Sequence, residues 1–125
     1  KVAVIAGEFA QIVTTALSQK EVAELLGVSA SRIRQKLEAG ELYAIRTTGG
    51  RVCPRFQFGP KGTLAGLEAV LRALRPEAHP VAVQRFFMDT HPDLTSDTLN
   101  RALSPHEWLL TGHPPEAVVV LVGEV

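Results

Sequence analysis

Residues 18–37 read Ser18-Gln19-Lys20-Glu21-Val22-Ala23-Glu24-Leu25-Leu26-Gly27-Val28-Ser29-Ala30-Ser31-Arg32-Ile33-Arg34-Gln35-Lys36-Leu37, and this stretch decides the fold. Ser18, with Glu21 three residues on, has the form of a capping box, in which hydroxyl and carboxylate satisfy backbone N–H groups at a helix start. Val22, Ala23, Leu25 and Leu26 give that helix an apolar side, and Gly27 ends it as a residue that tolerates positive φ. Ser29 caps a second helix reaching Ala39, with Ile33 and Leu37 inward and Gly40 closing it. A helix-turn-helix needs a small residue where the second helix crosses the first, a flexible turn and apolar anchors that fix the two axes. Ala23, Gly27 and the set Val22, Leu26, Val28, Ile33 and Leu37 supply these at the required offsets.

The outer side of the second helix is polar and basic. With Ile33 and Leu37 inward, Ser31, Arg34 and Gln35 point outward near the helix start, the part that enters a major groove. Arginine can bridge guanine O6 and N7 and glutamine adenine N6 and N7, so Arg34 and Gln35 are the candidates for base readout. Gln19, Ser29, Arg32 and Lys36 are placed for the sugar–phosphate backbone, which fixes register without reading sequence.

Beyond Gly40, Leu42–Arg46 and Arg51–Phe58 read as two short strands joined by Thr47-Thr48-Gly49-Gly50, a hairpin with glycines where a tight turn needs them. Pro54 interrupts the second strand and predicts an edge or a bulge there. Gly59-Pro60-Lys61-Gly62 is the clearest internal boundary, a cluster of breakers. The charge changes sign at this point. Residues 18–62 carry eight basic side chains against four acidic ones, and residues 63–125 four against eight, within a chain of 13 Lys+Arg and 13 Asp+Glu. The first half therefore favours a polyanion.

The stretch "LSQKEVAELLGVSASRIRQKLEAGELYAIR" with its hairpin "GGRVCPRFQF" resembles the helix-turn-helix of MerR-like and excisionase-like regulators, over about residues 17–58. In that family the hairpin is a wing laid on the DNA backbone or minor groove, which implies phosphate roles for Arg46, Thr48, Arg51 and Arg55. Lys36 stands where relatives often carry an apolar residue, which predicts a shorter or tilted second helix.

Flanking segments read as helical. Val2–Leu17 sets Val2, Ile5, Phe9, Ile12, Val13 and Ala16 at helical spacing. Leu64–Leu74 carries a leucine stripe ended by Pro76, and Pro80–Met88 begins with proline in its first turn, ending before His91-Pro92-Asp93. Ser104-Pro105-His106-Glu107 starts a helix bearing Trp108, Leu109 and Leu110, and Pro114-Pro115-Glu116 starts the last. "VAVQRFFMDTHPDL" and "LSPHEWLLTGHPPEAVVVLV" resemble the toxin-binding region of Xre/MbcA/ParS-type bacterial antitoxins, a division of labour VapB-type antitoxins share. The resemblance implies a partner surface at Phe86, Phe87, Leu94, Trp108, Leu109, Leu110 and Val119, a cognate toxin of PIN-ribonuclease or RES type, and repression of the protein's own operon.

The expected fold is mainly α with a small β-hairpin: an N-terminal helix over 1–17, a winged helix-turn-helix over 18–58 and a helical toxin-binding or dimerisation subdomain over 63–125. The expected partners are a double-stranded DNA operator, a toxin and a second copy of the chain, in a bacterial cytoplasm. A stand-alone repressor or excisionase-like factor, and an adaptor without DNA binding, stay open. Other classes find little support. No apolar run approaches the roughly 20 residues of a membrane span, residues 1–17 lack a secretory pattern, and the single Cys53 cannot form an intrachain disulfide. His79, His91, His106 and His113 lack metal-ligand spacing, and no Gly-rich phosphate loop or nucleophile motif occurs, so neither a cofactor nor an enzyme is expected.

Overall fold

The computed structural model describes residues 2–125, and the side chains from Val4 onward. The expected place of Val2 on the apolar side of the first helix therefore lies outside the described side chains. The fold is mainly α with small antiparallel sheets, as expected. Helix α1 (Val2–Thr15) runs into a two-residue strand β1 (Leu17–Ser18), then α2 (Gln19–Leu26) and α3 (Ala30–Glu38). Strands β2 (Ile45–Thr47) and β3 (Gly50–Cys53) follow. A 3-10 turn (Arg55–Gln57) and the strands β4 (Phe58–Gly59) and β5 (Gly62–Thr63) lead to α4 (Leu67–Ala73) and α5 (Pro80–Met88). Strands β6 (His91–Ser96) and β7 (Arg101–Leu103) precede α6 (Pro105–Leu110) and α7 (Glu116–Val122).

The local chemistry of the first half acts as its sequence dictates. Ser18 and Glu21 form the reciprocal capping box, and Gly27 takes a left-handed φ of 68° that closes α2. Ser29 Oγ accepts from Arg32 N–H and starts α3, which runs nine residues with Lys36 in its last turn rather than stopping short. Val22 and Ile33 are fully buried at the crossing and join Leu17, Leu42, Cys53 and Phe58 in one core. The sheet order is β1-β3-β2, with Leu17 opposite Cys53 and Ile45 opposite Val52. Ile45 turns toward α1 and α5, where it packs with Ile12 and Val81.

The expected strand boundaries need correction. The long second strand over Arg51–Phe58 is broken in two: β3 is the central strand and stops at Cys53, because Pro54 lacks the N–H that would continue the ladder. The boundary cluster Gly59–Gly62 forms the turn of the β4–β5 hairpin and packs closely on both sides. A Cβ on Gly59 would lie 2.6 Å from Leu110 Cδ1, and one on Gly62 3.1 Å from Leu26 Cδ2. Helix α5 ends at Met88, before His91-Pro92-Asp93 as expected, and that segment opens the β6–β7 hairpin, whose register slips between His91 and Thr95.

The tail core gathers Leu64, Leu67, Val70, Val83, Phe87, Leu94, Leu109, Val118 and Val122. Phe56 from the first half enters it, stacked on Phe87 at 4.6 Å between centroids. Between Phe56 and Phe58, Gln57 is fully buried. Its amide receives Tyr43 N–H at 2.8 Å and donates to the carbonyls of Tyr43 (2.7 Å) and Pro54 (3.1 Å). Gln57 thus supplies to an otherwise unpaired loop the hydrogen bonds a neighbouring strand would give.

Candidate nucleic-acid interface

Helix α3 places Ser31, Arg32, Arg34 and Gln35 together on its solvent side, all exposed, while Ile33 is buried and Leu37 half-buried beneath them. Their hydrogen bonds stay within the helix. Arg34 Nη2 donates to Ser31 Oγ at 3.3 Å, and Arg32 Nη1 to Gln35 Oε1 at 3.4 Å. Contacts that long and that exposed are weak and cost little to exchange for a ligand.

The β2–β3 hairpin adds a second basic element. Its register pairs Thr47 with Gly50, so only Thr48 and Gly49 form the tip, and Gly50 adopts φ 117°, a backbone that glycine accommodates. Thr47 Oγ1 donates to the Gly50 carbonyl at 2.6 Å and ties the turn. Arg46 and Arg51 stand directly opposite each other, and like charges so placed destabilise an antiparallel pair. Among the described residues no carboxylate lies within ion-pair reach of Arg32, Arg34, Arg46 or Arg51.

The other expected site residues fall elsewhere. Gln19 is half-buried at the first turn of α2. The Ser29 hydroxyl serves as the cap of α3. Lys36 is half-buried and paired with Glu41 at 3.4 Å, so its charge is already met. Arg55 is not on the wing: it sits on the 3-10 turn, where its Nε donates to the Thr15 carbonyl at 2.6 Å and joins the end of α1 to the domain.

The expected partner surface of the tail is largely interior. Phe87 and Leu94 are completely buried and Leu109 is 1% exposed, because α5, β6 and α6 turn these side chains into the core they share with α4 and α7. Phe86, Trp108 and Val119 are half-buried against the same core. The Trp108 indole N–H donates to the Pro114 carbonyl at 2.7 Å. Leu110 alone of the seven is exposed. Sequence reasoning missed Gln57, whose only signal was a glutamine between two phenylalanines.

Burial pushes the Cys53 thiol up to about 11, which keeps it protonated at neutral pH. No group of three metal-ligating side chains occurs among the described residues, and no helix there is long and apolar enough to cross a membrane.

Comparison with known proteins follows the same outline. Residues 11–58 match the family model described as DNA-binding protein Rv2175c, wHTH domain. The chain is 36% identical over 76 residues to a DNA-binding protein Rv2175c of Mycobacterium tuberculosis (strain ATCC 25618 / H37Rv), across 59% of this chain and 52% of that protein. It thus spans about half the length of this curated relative. An NMR structure of Rv2175c superposes with a TM-score of 0.62 at 29% identity, covering 87% of this chain and 79% of that one. Residues 11–58 are therefore similar in sequence and in winged helix-turn-helix fold to the domain described for DNA-binding protein Rv2175c.

Proposed function

We propose that this protein binds duplex DNA in a sequence-dependent manner and regulates transcription, with α3 in the major groove and the β2–β3 hairpin as a wing on the phosphates. The observation that carries the reading is the set of four arginines, Arg32, Arg34, Arg46 and Arg51, without an acid partner among the described residues, on α3 and on a hairpin whose central strand packs, like α3, on α2. A phosphate backbone supplies the missing counter-charge and relieves the Arg46–Arg51 repulsion. Arg34 and Gln35 read base edges, while Arg32, Arg46, Thr48 and Arg51 hold the backbone, with Gln19 at its edge. The name of the similar protein, DNA-binding protein Rv2175c, supports the same partner.

Arg34→Ala should weaken binding to a selected operator by about 1–3 kcal/mol while leaving affinity for random duplex nearly unchanged. Fluorescence-anisotropy titration measures both. Equal loss on the two duplexes would remove Arg34 from base readout, and no loss on either would remove α3 from the groove.

A second reading adds protein binding by the tail, as an antitoxin that represses its own operon. Exposed Leu110 and Val120, at 45% and 72%, favour it, although the interior position of Phe87, Leu94 and Leu109 leaves a smaller surface than the resemblance implies. Co-expression with the neighbouring gene product tests it: a complex that Leu110→Asp dissolves supports the antitoxin role, and no complex removes it. A dimer on a palindromic operator belongs to the same proposal, and sedimentation on one- and two-half-site duplexes distinguishes it from a monomer.

A further inference from the structure

We propose that the cleft between the winged domain and the tail is a binding site for a small amphipathic carboxylate, an apolar body ending in one anionic group. The cleft encloses about 480 Å³, within the roughly 300–1,000 Å³ of small-ligand sites. Its lining comes from both halves: Leu17, Leu25, Phe56 and Phe58 from the winged domain, and Gln84 and Met88 from α5. Leu25 and Met88 are 41% and 46% exposed, and both line this one cleft. Covering both with one apolar body removes more hydrocarbon from water than either half could cover alone.

The lining also carries a cation. Arg55 lines the cleft, oriented by the Nε bond to Thr15, and its two terminal nitrogens have no hydrogen-bond partner among the described residues. Glu21 lies within its field, but the Glu21 carboxylate is engaged at the cap of α2 by Ser18. His106 also lines the cleft; its Nδ1 donates to the Phe56 carbonyl at 2.8 Å, leaving Nε2 as the remaining polar atom of the ring. A guanidinium with a free edge beside an apolar wall selects a carboxylate, which it can hold through two parallel hydrogen bonds.

The test needs no DNA, so its outcome is independent of the proposed function. The full chain is titrated with octanoate and, separately, with octan-1-ol, and followed by amide chemical shifts. The expected result is saturable octanoate binding with shifts centred on Leu25, Gly59 and Met88, and weaker binding of the alcohol. Arg55→Gln should weaken octanoate about tenfold and leave the alcohol unchanged. Met88→Glu, at an exposed position that leaves the core intact, should also weaken octanoate by placing a like charge at the rim. Absence of saturable shifts, equal affinity for acid and alcohol, or octanoate binding unchanged by both substitutions would overturn the proposal.

Discussion

The arginines of the two halves lead different lives. In the tail, Arg72 pairs with Glu68, Arg85 reaches across to Glu8 on α1, Arg101 binds Glu107 at 2.8 Å, and Arg75 Nε donates to the Val125 carbonyl at 2.8 Å. In the winged domain, Arg32 and Arg34 touch only their own helix, and Arg46 faces Arg51. The protein itself answers the arginines of the tail and leaves Arg32, Arg34, Arg46 and Arg51 of the winged domain without an acid partner among the described residues. Paired cations tie elements together; unpaired ones such as the facing Arg46 and Arg51 repel each other until a polyanion arrives. The contrast locates the interface better than net charge, which is zero for the whole chain.

The largest expected effect tests whether the two halves are separate at all. Gln57→Leu leaves the Tyr43 N–H and carbonyl unpaired in the interior and should cost about 3 kcal/mol. Because Phe56 and Phe58 anchor in different cores, urea unfolding should remain one transition at a lower midpoint. Two separated transitions would mean that the halves fold independently.

Next comes the wing. Arg46→Ala should weaken binding evenly across duplex sequences and lower the log–log salt slope by about 1. The same substitution should raise the stability of the free protein by about 0.3 kcal/mol, since it removes a like-charge pair. Opposite signs in the anisotropy and urea measurements would sharpen the contrast between the halves; matching signs would break it.

The smallest effect belongs to a paired cation. Arg101, the Ser104 N–H and, in smaller measure, His106 hold the Glu107 carboxyl below its ordinary 4.5. A depressed folded-state value contributes stability above the unfolded value and loses it as pH falls through the folded one. The urea midpoint should therefore drop as pH falls below about 4.5, and Glu107→Gln should flatten part of that drop while lowering the midpoint slightly at neutral pH. An unchanged acid slope would show that the Arg101–Glu107 pair adds nothing.

Legibility in the sequence follows the reach of the interactions. Caps and turns act over three or four residues, so the capping box at Ser18, the helix start at Ser104, the αL glycine at 27 and the wing hairpin were readable, although its connection is two residues rather than the expected four. The β6–β7 hairpin was not: Pro92 and Asp93 lie in its first strand, Ser96 takes a buried position an apolar residue would normally mark, and the register slips midway. Only Asn100, at φ 56°, was a local sign of the turn. On α3, periodicity separates buried Ile33 from exposed Arg34 and Gln35. The tail's leucines and phenylalanines carry no such mark, because a hydrophobic side chain in a core and one on a docking face look identical until the partner element is known.

The tripeptide Phe56-Gln57-Phe58 also sets where the molecule can be cut. A fragment ending at residue 58 keeps Phe56 but loses the shelter around its ring, and it severs β4 from β5. Shortened versions for expression or crystallisation should run past Thr63 and will still carry an uncovered aromatic ring, whereas limited proteolysis of the intact chain should spare this crossing.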